Sequence, residues 1–277
     1  MTTSMNITTQ VTGYCDEKCA YSFNYQTSNT CNATNYGTYL ELKYIDSGTT
    51  PPVSFNLNKY TVGNIELYSP SLHYFNGQPA AGEIIIYHTP ISTGSPLYVC
   101  IPLFANSNST NTASQIITDI ITQAVEKPLL QGAPSMNIKL NDHTLNSIVP
   151  MKPYYFYEET NNYNIIVYGL ENAIFISQTK INDLQTIIDA ETITKYPTVN
   201  YFYLNKDGPS TVSGGSEIYI DCQPTGNSKE TEEVPYVKSA AVNDLGSFFK
   251  SPIFFYLLSS IVFIILIITI HYLLSRF

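Results

Sequence analysis

The chain has 277 residues, of which 22 are acidic and 13 basic, giving a formal net charge of −9 at neutral pH. Every acidic residue precedes residue 253, and Arg276 is the only arginine. This argues against nucleic acid, heparin-like glycans and anionic lipid surfaces, which need clustered Lys and Arg, and no GxxxxGKS/T, GxGxxG or HExxH pattern occurs.

Taken in chain order, residues 1–35 are rich in Thr, Asn and Cys and read as an irregular N-terminal arm. Residues 36–222 read as the folded domain. Tyr39–Ile45, Asn64–Tyr68, Glu83–His88 and Leu97–Leu103 are short runs rich in Ile, Val, Tyr and Phe, and they predict strands. Residues 113–126 place Ile117, Ile120, Ile121 and Ala124 on one face, after a capping-box pattern of Thr112 and Gln115, and predict a helix. Ile165–Tyr168 and Ala173–Ser177 predict further strands. Residues 181–189 predict a second helix with Ile181, Leu184 and Ile188 on one face. Asn200–Leu204 and Glu217–Asp221 complete a mainly-β domain. Its 23 tyrosines suit half-buried sheet faces and also a binding surface.

Residues 223–251 carry Pro, Gly and an acidic run and read as a linker. Within 252–275, the stretch Ile253–Leu274 contains no Asp, Glu, Lys or Arg. At about 1.5 Å per residue it reaches roughly 33 Å, the depth of a bilayer core, and predicts one transmembrane helix. Lys250 and Arg276 flank it as interfacial anchors, with Tyr256 and Tyr272 near its ends. Three residues follow the span, and the polar stretch Met1–Gly13 has no signal-peptide core. The expectation is a tail-anchored protein whose N-terminal domain stays on the cytosolic side. A cytosolic domain keeps its cysteines reduced. A local disulfide among Cys15, Cys19 and Cys31 requires an oxidase in the assembly compartment, and a zinc knuckle there lacks a nearby histidine. The sequons at Asn6, Asn32 and Asn108 go unused if the domain never enters the secretory pathway.

Ser71 to His88, SLHYFNGQPAAGEIIIYH, resembles the core segment of the α-carbonic anhydrases, in which Glu-His is followed by a short Gly turn and Ala-Glu-x-His-x-x-His on a strand. Leu72-His73 stands at the Glu-His, and Gly82 to His88 at the second element. Further on, Asn146–Pro150 with Tyr154–Tyr157 is similar to the family's Leu-Leu-Pro and Tyr-Trp-x-Tyr. Ile165–Tyr168 and Ile174–Ser177 are similar to two of its strands. The resemblance implies a single large, mostly antiparallel twisted sheet with few short helices.

It also implies what is missing. The family's chemistry needs three imidazoles on zinc, leaving a fourth position for hydroxide. No histidine precedes His73, so the family's first His-x-His pair is absent, and its third ligand falls at Ile85. His88 matches the family's second, non-ligand histidine. The family's hydroxide-orienting Thr loop is replaced by Glu158 to Asn162, and its tryptophans are absent. His73 and Glu83 are then expected as a structural hydrogen-bonded pair, with no cofactor and no catalysis. The remaining histidines, His88, His143 and His271, are expected as packed or surface side chains.

The phrases NIELYSPSLHYFNG and EIYIDCQP resemble metal-free carbonic-anhydrase-like virion membrane proteins of large cytoplasmic DNA viruses, related in kind to the poxvirus cell-surface-binding protein. That resemblance implies a virion membrane location, with the domain outside the viral membrane and contacting a capsid layer or a host receptor. The acidic balance weighs against a sulfated glycan. The alternatives are a carbonic anhydrase with a rebuilt site and a cellular tail-anchored adaptor.

Overall fold

In the computed structural model the described residues are 5–15, 19–44, 48, 50–106, 111–159, 162–191 and 201–211. They all lie in the first of two compact units, Met1–Glu217. The predicted strand Glu217–Asp221, the linker and the span fall outside the described residues. No described helix is long and apolar enough to cross a membrane.

The first four strands come from the segment read as an irregular arm: β1 (Asn6–Ile7), β2 (Gly13–Tyr14), β3 (Tyr21–Phe23) and β4 (Ser28–Asn35). That reading is corrected. Met5, Ile7, Tyr21, Phe23 and Tyr25 are buried, and in β4 the buried residues Cys31, Ala33 and Asn35 alternate with half-buried Asn32 and Thr34. Small and polar residues supply the period-2 pattern there, so the hydrophobic signal is faint.

Next come β5 (Leu40–Tyr44), β6 (Val53–Phe55), β7 (Asn58–Tyr68), β8 (Tyr74–Phe75), β9 (Gln78–Pro79), β10 (Gly82–Pro90) and β11 (Leu97–Ala105). Helix α1 (Thr112–Glu126) precedes β12 (Met136–His143), β13 (Tyr154–Glu158), β14 (Asn164–Val167) and β15 (Ile174–Ile176). Helix α2 (Gln178–Gln185) is followed by β16 (Tyr203–Asn205) and β17 (Ser210–Thr211). Among the described residues one 14-stranded sheet runs β12-β4-β5-β7-β10-β11-β14-β13-β16-β2, with β15 beside β11 and a branch through β6, β3 and β17. Antiparallel pairs predominate, but β11 pairs in parallel with β14 and β15, and both β16–β2 and β17–β3 are parallel. The sheet is therefore mixed. A second sheet, β1-β8-β9, has three strands.

β10 and β11 lie at the centre and are buried on both faces, which explains their unbroken apolar runs. One face carries the larger core. There Ile84, Ile86, Val99 and Ile101 pack with Ile117, Ile120 and Ile121 of α1 and with Leu184 of α2. The opposite face carries a smaller core of Ile85, Cys100, Tyr157, Ile165 and Val167, joined by Met5, Ile7, Leu72 and Phe75.

The helix caps differ from expectation. Asn111, not Thr112, caps α1, its Oδ1 accepting from the Ser114 amide at 2.8 Å. Asn is a stronger cap than Thr, and it moves Thr112 into the first turn. Ser177, expected as a strand residue, caps α2 through the Lys180 amide. α2 therefore starts earlier than predicted and ends at Gln185. Ile188 lies beyond it and is still buried.

Candidate functional site

The smaller core face holds the polar residues that the sequence singles out. Gly82 opens β10 against the carbonyl of Tyr68, close enough that an added Cβ would sit 2.6 Å from that oxygen. This close approach starts the strand in register, with Glu83 opposite Tyr68 and Ile85 opposite Glu66. Gly82→Ala is expected to cost about 1–3 kcal/mol of stability by overpacking against rigid backbone, measured by urea denaturation.

The loop leading to His73 is tied to the same strand. Ser69 Oγ donates to Ala81 O at 2.7 Å, the Ala80 amide donates to Ser71 Oγ at 2.7 Å, and Ser71 Oγ donates to His73 O at 2.6 Å. These bonds bring His73 to Glu83. Glu83 Oε1 accepts from His73 Nδ1 at 2.6 Å, and Oε2 accepts from the amides of Leu72 at 2.9 Å and His73 at 3.1 Å. With Nδ1–H donated, Nε2 is the acceptor for the Tyr157 hydroxyl at 2.8 Å. His73, Glu83 and Tyr157 are all fully buried. Burial, then the neighbouring Cys100 and Glu83, pushes the Tyr157 hydroxyl well up, so it stays a donor. Burial and Glu83 push the Cys100 thiol well up too, which keeps it protonated and a poor nucleophile.

One sheet row further lies a second polar centre that the sequence reading did not single out. Glu66 is buried, and its Oε2 accepts from the hydroxyls of Tyr68 and, at 2.7 Å, Tyr87. Two arms of rings meet there. Tyr36 stacks on Tyr39 with centroids 5.1 Å apart, and Tyr39 lies 5.2 Å from Tyr68. On the other side Tyr87 meets Tyr98 at 4.4 Å, and Tyr98 meets Tyr163 at 5.1 Å. Glu159, in the loop that departs from the family pattern, is buried, and burial raises its carboxyl. The signal that could have found this centre is strand register, which brings together residues from three strands and two loops.

The other predicted residues lie apart. His88 is on the opposite face, where its Nδ1 donates to Leu97 O at 3.2 Å and its Nε2 accepts from the Tyr25 hydroxyl at 2.9 Å. His143 packs against Tyr44 and lines a small void with Cys31. The three described histidines do not converge. Cys15 and Cys19 form a disulfide with Cα atoms 5.5 Å apart. Cys31, the third candidate for a disulfide, is a buried free thiol pushed up to about 12 by burial. Of the sequons, Asn6 is exposed and its Oδ1 accepts from the Gly77 amide, whereas Asn32 is half-buried and accepts from Asn137 Nδ2. Asn108 lies outside the described residues.

No protein-family model matches the sequence, and no curated protein matches it. Solved structures do match in shape. An α-carbonic anhydrase from Photobacterium profundum aligns with a TM-score of 0.56 at 14% identity, over 74% of this chain and 88% of its own. Dioscorin complexed with ascorbate aligns with a TM-score of 0.55 at 15% identity, over 76% and 88%. Carbonic anhydrase Cah3 from Chlamydomonas reinhardtii, in complex with acetazolamide, aligns with a TM-score of 0.53 at 15% identity, over 74% and 90%. The fold is therefore carbonic-anhydrase-like.

The residues on this face do not fit the zinc of that fold. Ile85 has no donor atom, and its cross-strand neighbours are Glu66 and Cys100 rather than imidazoles. His73, Glu83 and Cys100 bring one ligand atom each within 4.8 Å of one another. However, two atoms on one tetrahedral zinc at about 2.0–2.1 Å stand roughly 3.3 Å apart. The 2.6 Å contact of His73 with Glu83 is a hydrogen bond, not shared ligation.

Proposed function

We propose that this chain is a non-catalytic viral structural protein, anchored in the virion membrane by residues 252–275. Its carbonic-anhydrase-like domain lies on the cytosolic side during assembly and outside the viral membrane in the particle. There it binds a protein partner, either a capsid layer or a host receptor. The observation that carries the non-catalytic part is the row through Ile85. An apolar side chain stands at the third ligand position, and its cross-strand neighbours are a carboxylate held by two phenols and a protonated thiol, whereas water activation would need three imidazoles. The charge-free run Ile253–Leu274 supports the anchor. The resemblance carried by Asn64–Gly77 and Glu217–Pro224 supports the virion setting. The charge balance supports a protein partner over nucleic acid or sulfated glycan.

The His73, Glu83 and Cys100 cluster favours a second reading, an enzyme with a rebuilt metal site. Metal analysis of the purified full chain, with a CO₂ hydration assay, separates the two. Less than one zinc per ten chains and hydration at the buffer rate are expected. One tightly held zinc per chain with CO₂ hydration would overturn the proposal. Protease shaving of intact particles then tests location. Release of peptides from residues 1–250 favours host attachment, and protection until the shell is opened favours capsid contact.

A further inference from the structure

We propose that the β4–β5 hairpin tip and the strand face beside it form a binding site for an arginine side chain on a basic segment of a partner protein. This rests on the reading of the domain as a protein-binding module and names the chemistry of the partner.

The hairpin closes through the Tyr36 amide, which donates to Tyr39 O at 3.0 Å, with Gly37 at φ 94° in the turn. Only a residue without a Cβ takes that conformation easily, so the turn is fixed. The turn stacks Tyr36 on Tyr39 at an interplanar angle of 11°. Tyr36 is 49% exposed, so an aromatic ring is held rigidly at the surface. A rigid exposed tyrosine binds with little loss of side-chain freedom, and such residues are enriched at the centres of protein interfaces.

Carboxylates surround this ring pair. Glu41 of β5 lies directly opposite Glu66 of β7 in the sheet register. Like charges directly opposite each other are destabilising, and a cation at the surface beside Glu41 offsets that cost. Glu191 is held beside the hairpin by Thr38 Oγ1, which donates to its Oε2 at 2.9 Å. The Tyr39 hydroxyl feels all three. It is pushed up to about 12, first by burial and then by Glu66 and Glu41, with Glu191 also contributing. Lys43 is the basic residue on the same strand face, and it sits one row further on, across from Asn64.

Stacked phenols beside acidic groups match a guanidinium better than an ammonium. Arginine stacks its plane on an aromatic face while its N–H fork reaches carboxylates, whereas lysine offers only a point charge. An acidic ligand is repelled here, and an apolar segment would have to desolvate the half-buried Glu41 and Glu191.

The test uses the full chain in detergent micelles and fluorescein-labelled hexa-arginine, read by fluorescence anisotropy. Saturable binding is expected, at least fivefold tighter than to hexa-lysine. Tyr36→Ala and Glu41→Gln should each weaken it at least fivefold, and Tyr36→Phe, which keeps the ring, should not. Asp119→Asn with Glu126→Gln, an exposed pair on α1, should leave it within twofold. Circular dichroism verifies that each variant is folded. Equal affinity for hexa-lysine, equal weakening by the α1 pair, or no saturable binding would overturn the proposal. If hexa-arginine fails while the domain still crosslinks to a capsid or receptor protein, this inference falls alone. Zinc-dependent CO₂ hydration would instead remove the reading beneath it.

Discussion

Glu83→Leu is expected to lower the stability of the domain by about 4 kcal/mol, because each buried donor left without an acceptor costs roughly 1–3 kcal/mol. The substitution removes one acceptor group and leaves three donors without it: His73 Nδ1 and the amides of Leu72 and His73. All three lie in a region with no access to water, so the cost is the full desolvation of each group. The His73 ring would also lose the bond that fixes its tautomer, and with it the Tyr157 contact. Glu83→Gln keeps one acceptor oxygen and should cost less than half as much. Urea denaturation followed by tyrosine fluorescence measures both, since the chain has no tryptophan to mask the signal. A loss below about 1 kcal/mol for Glu83→Leu would mean that the network contributes little to the fold.

Acidification should destabilise the domain through His88. Burial pushes its imidazole down to about 4, against partly offsetting hydrogen bonds to the Leu97 and Ile86 backbone. The unfolded chain therefore binds a proton near the ordinary value of about 6.5, while the folded chain does not. Between these values the unfolded state carries more protons, so stability falls as pH drops from about 6.5 to about 4 and is flat above that window. The expected loss is roughly 3 kcal/mol, at about 1.4 kcal/mol per pH unit. His88→Phe removes the titration and should flatten the slope in that window, although it starts from a lower stability because Tyr25 loses its acceptor. Identical slopes in the two proteins would assign the acid sensitivity to other groups.

The parts of the fold legible in the sequence are those where burial on both faces forces an apolar run. β10 reads GEIIIYHTP and β11 reads LYVCIPLFA, and both were expected to within two residues at each end. Strands near the sheet edge are written differently. β4 reads SNTCNATN and β12 reads MNIKLNDH, and neither looks like a strand because few positions carry a large apolar side chain. The site divides the same way. His73 and Glu83 were found through one local segment, ten residues apart, whereas Tyr157 joins them from 84 residues away. Glu66 sits in an ordinary-looking strand, NIELY. Its partners Tyr68 and Tyr87, and Tyr98 beyond them, become visible only when β7, β10 and β11 are set in register.

The threading of the first strands has a consequence for biosynthesis. β2 has its partner in β16, β3 has β6 on one side and β17 on the other, and the Thr12 hydroxyl accepts from the Phe202 amide across 190 residues of sequence. At a synthesis rate of about 5–20 residues per second, the opening segment waits roughly 10–40 s for these partners. Such non-local pairings also close slowly once both strands are present. The nascent chain therefore carries incomplete β-edges until residues 203–211 have left the ribosome, and a chaperone that shields strand edges should matter most in that interval. A ribosome-arrested chain ending near residue 200 should be far more sensitive to proteolysis in its first 25 residues than one extended to the chain end.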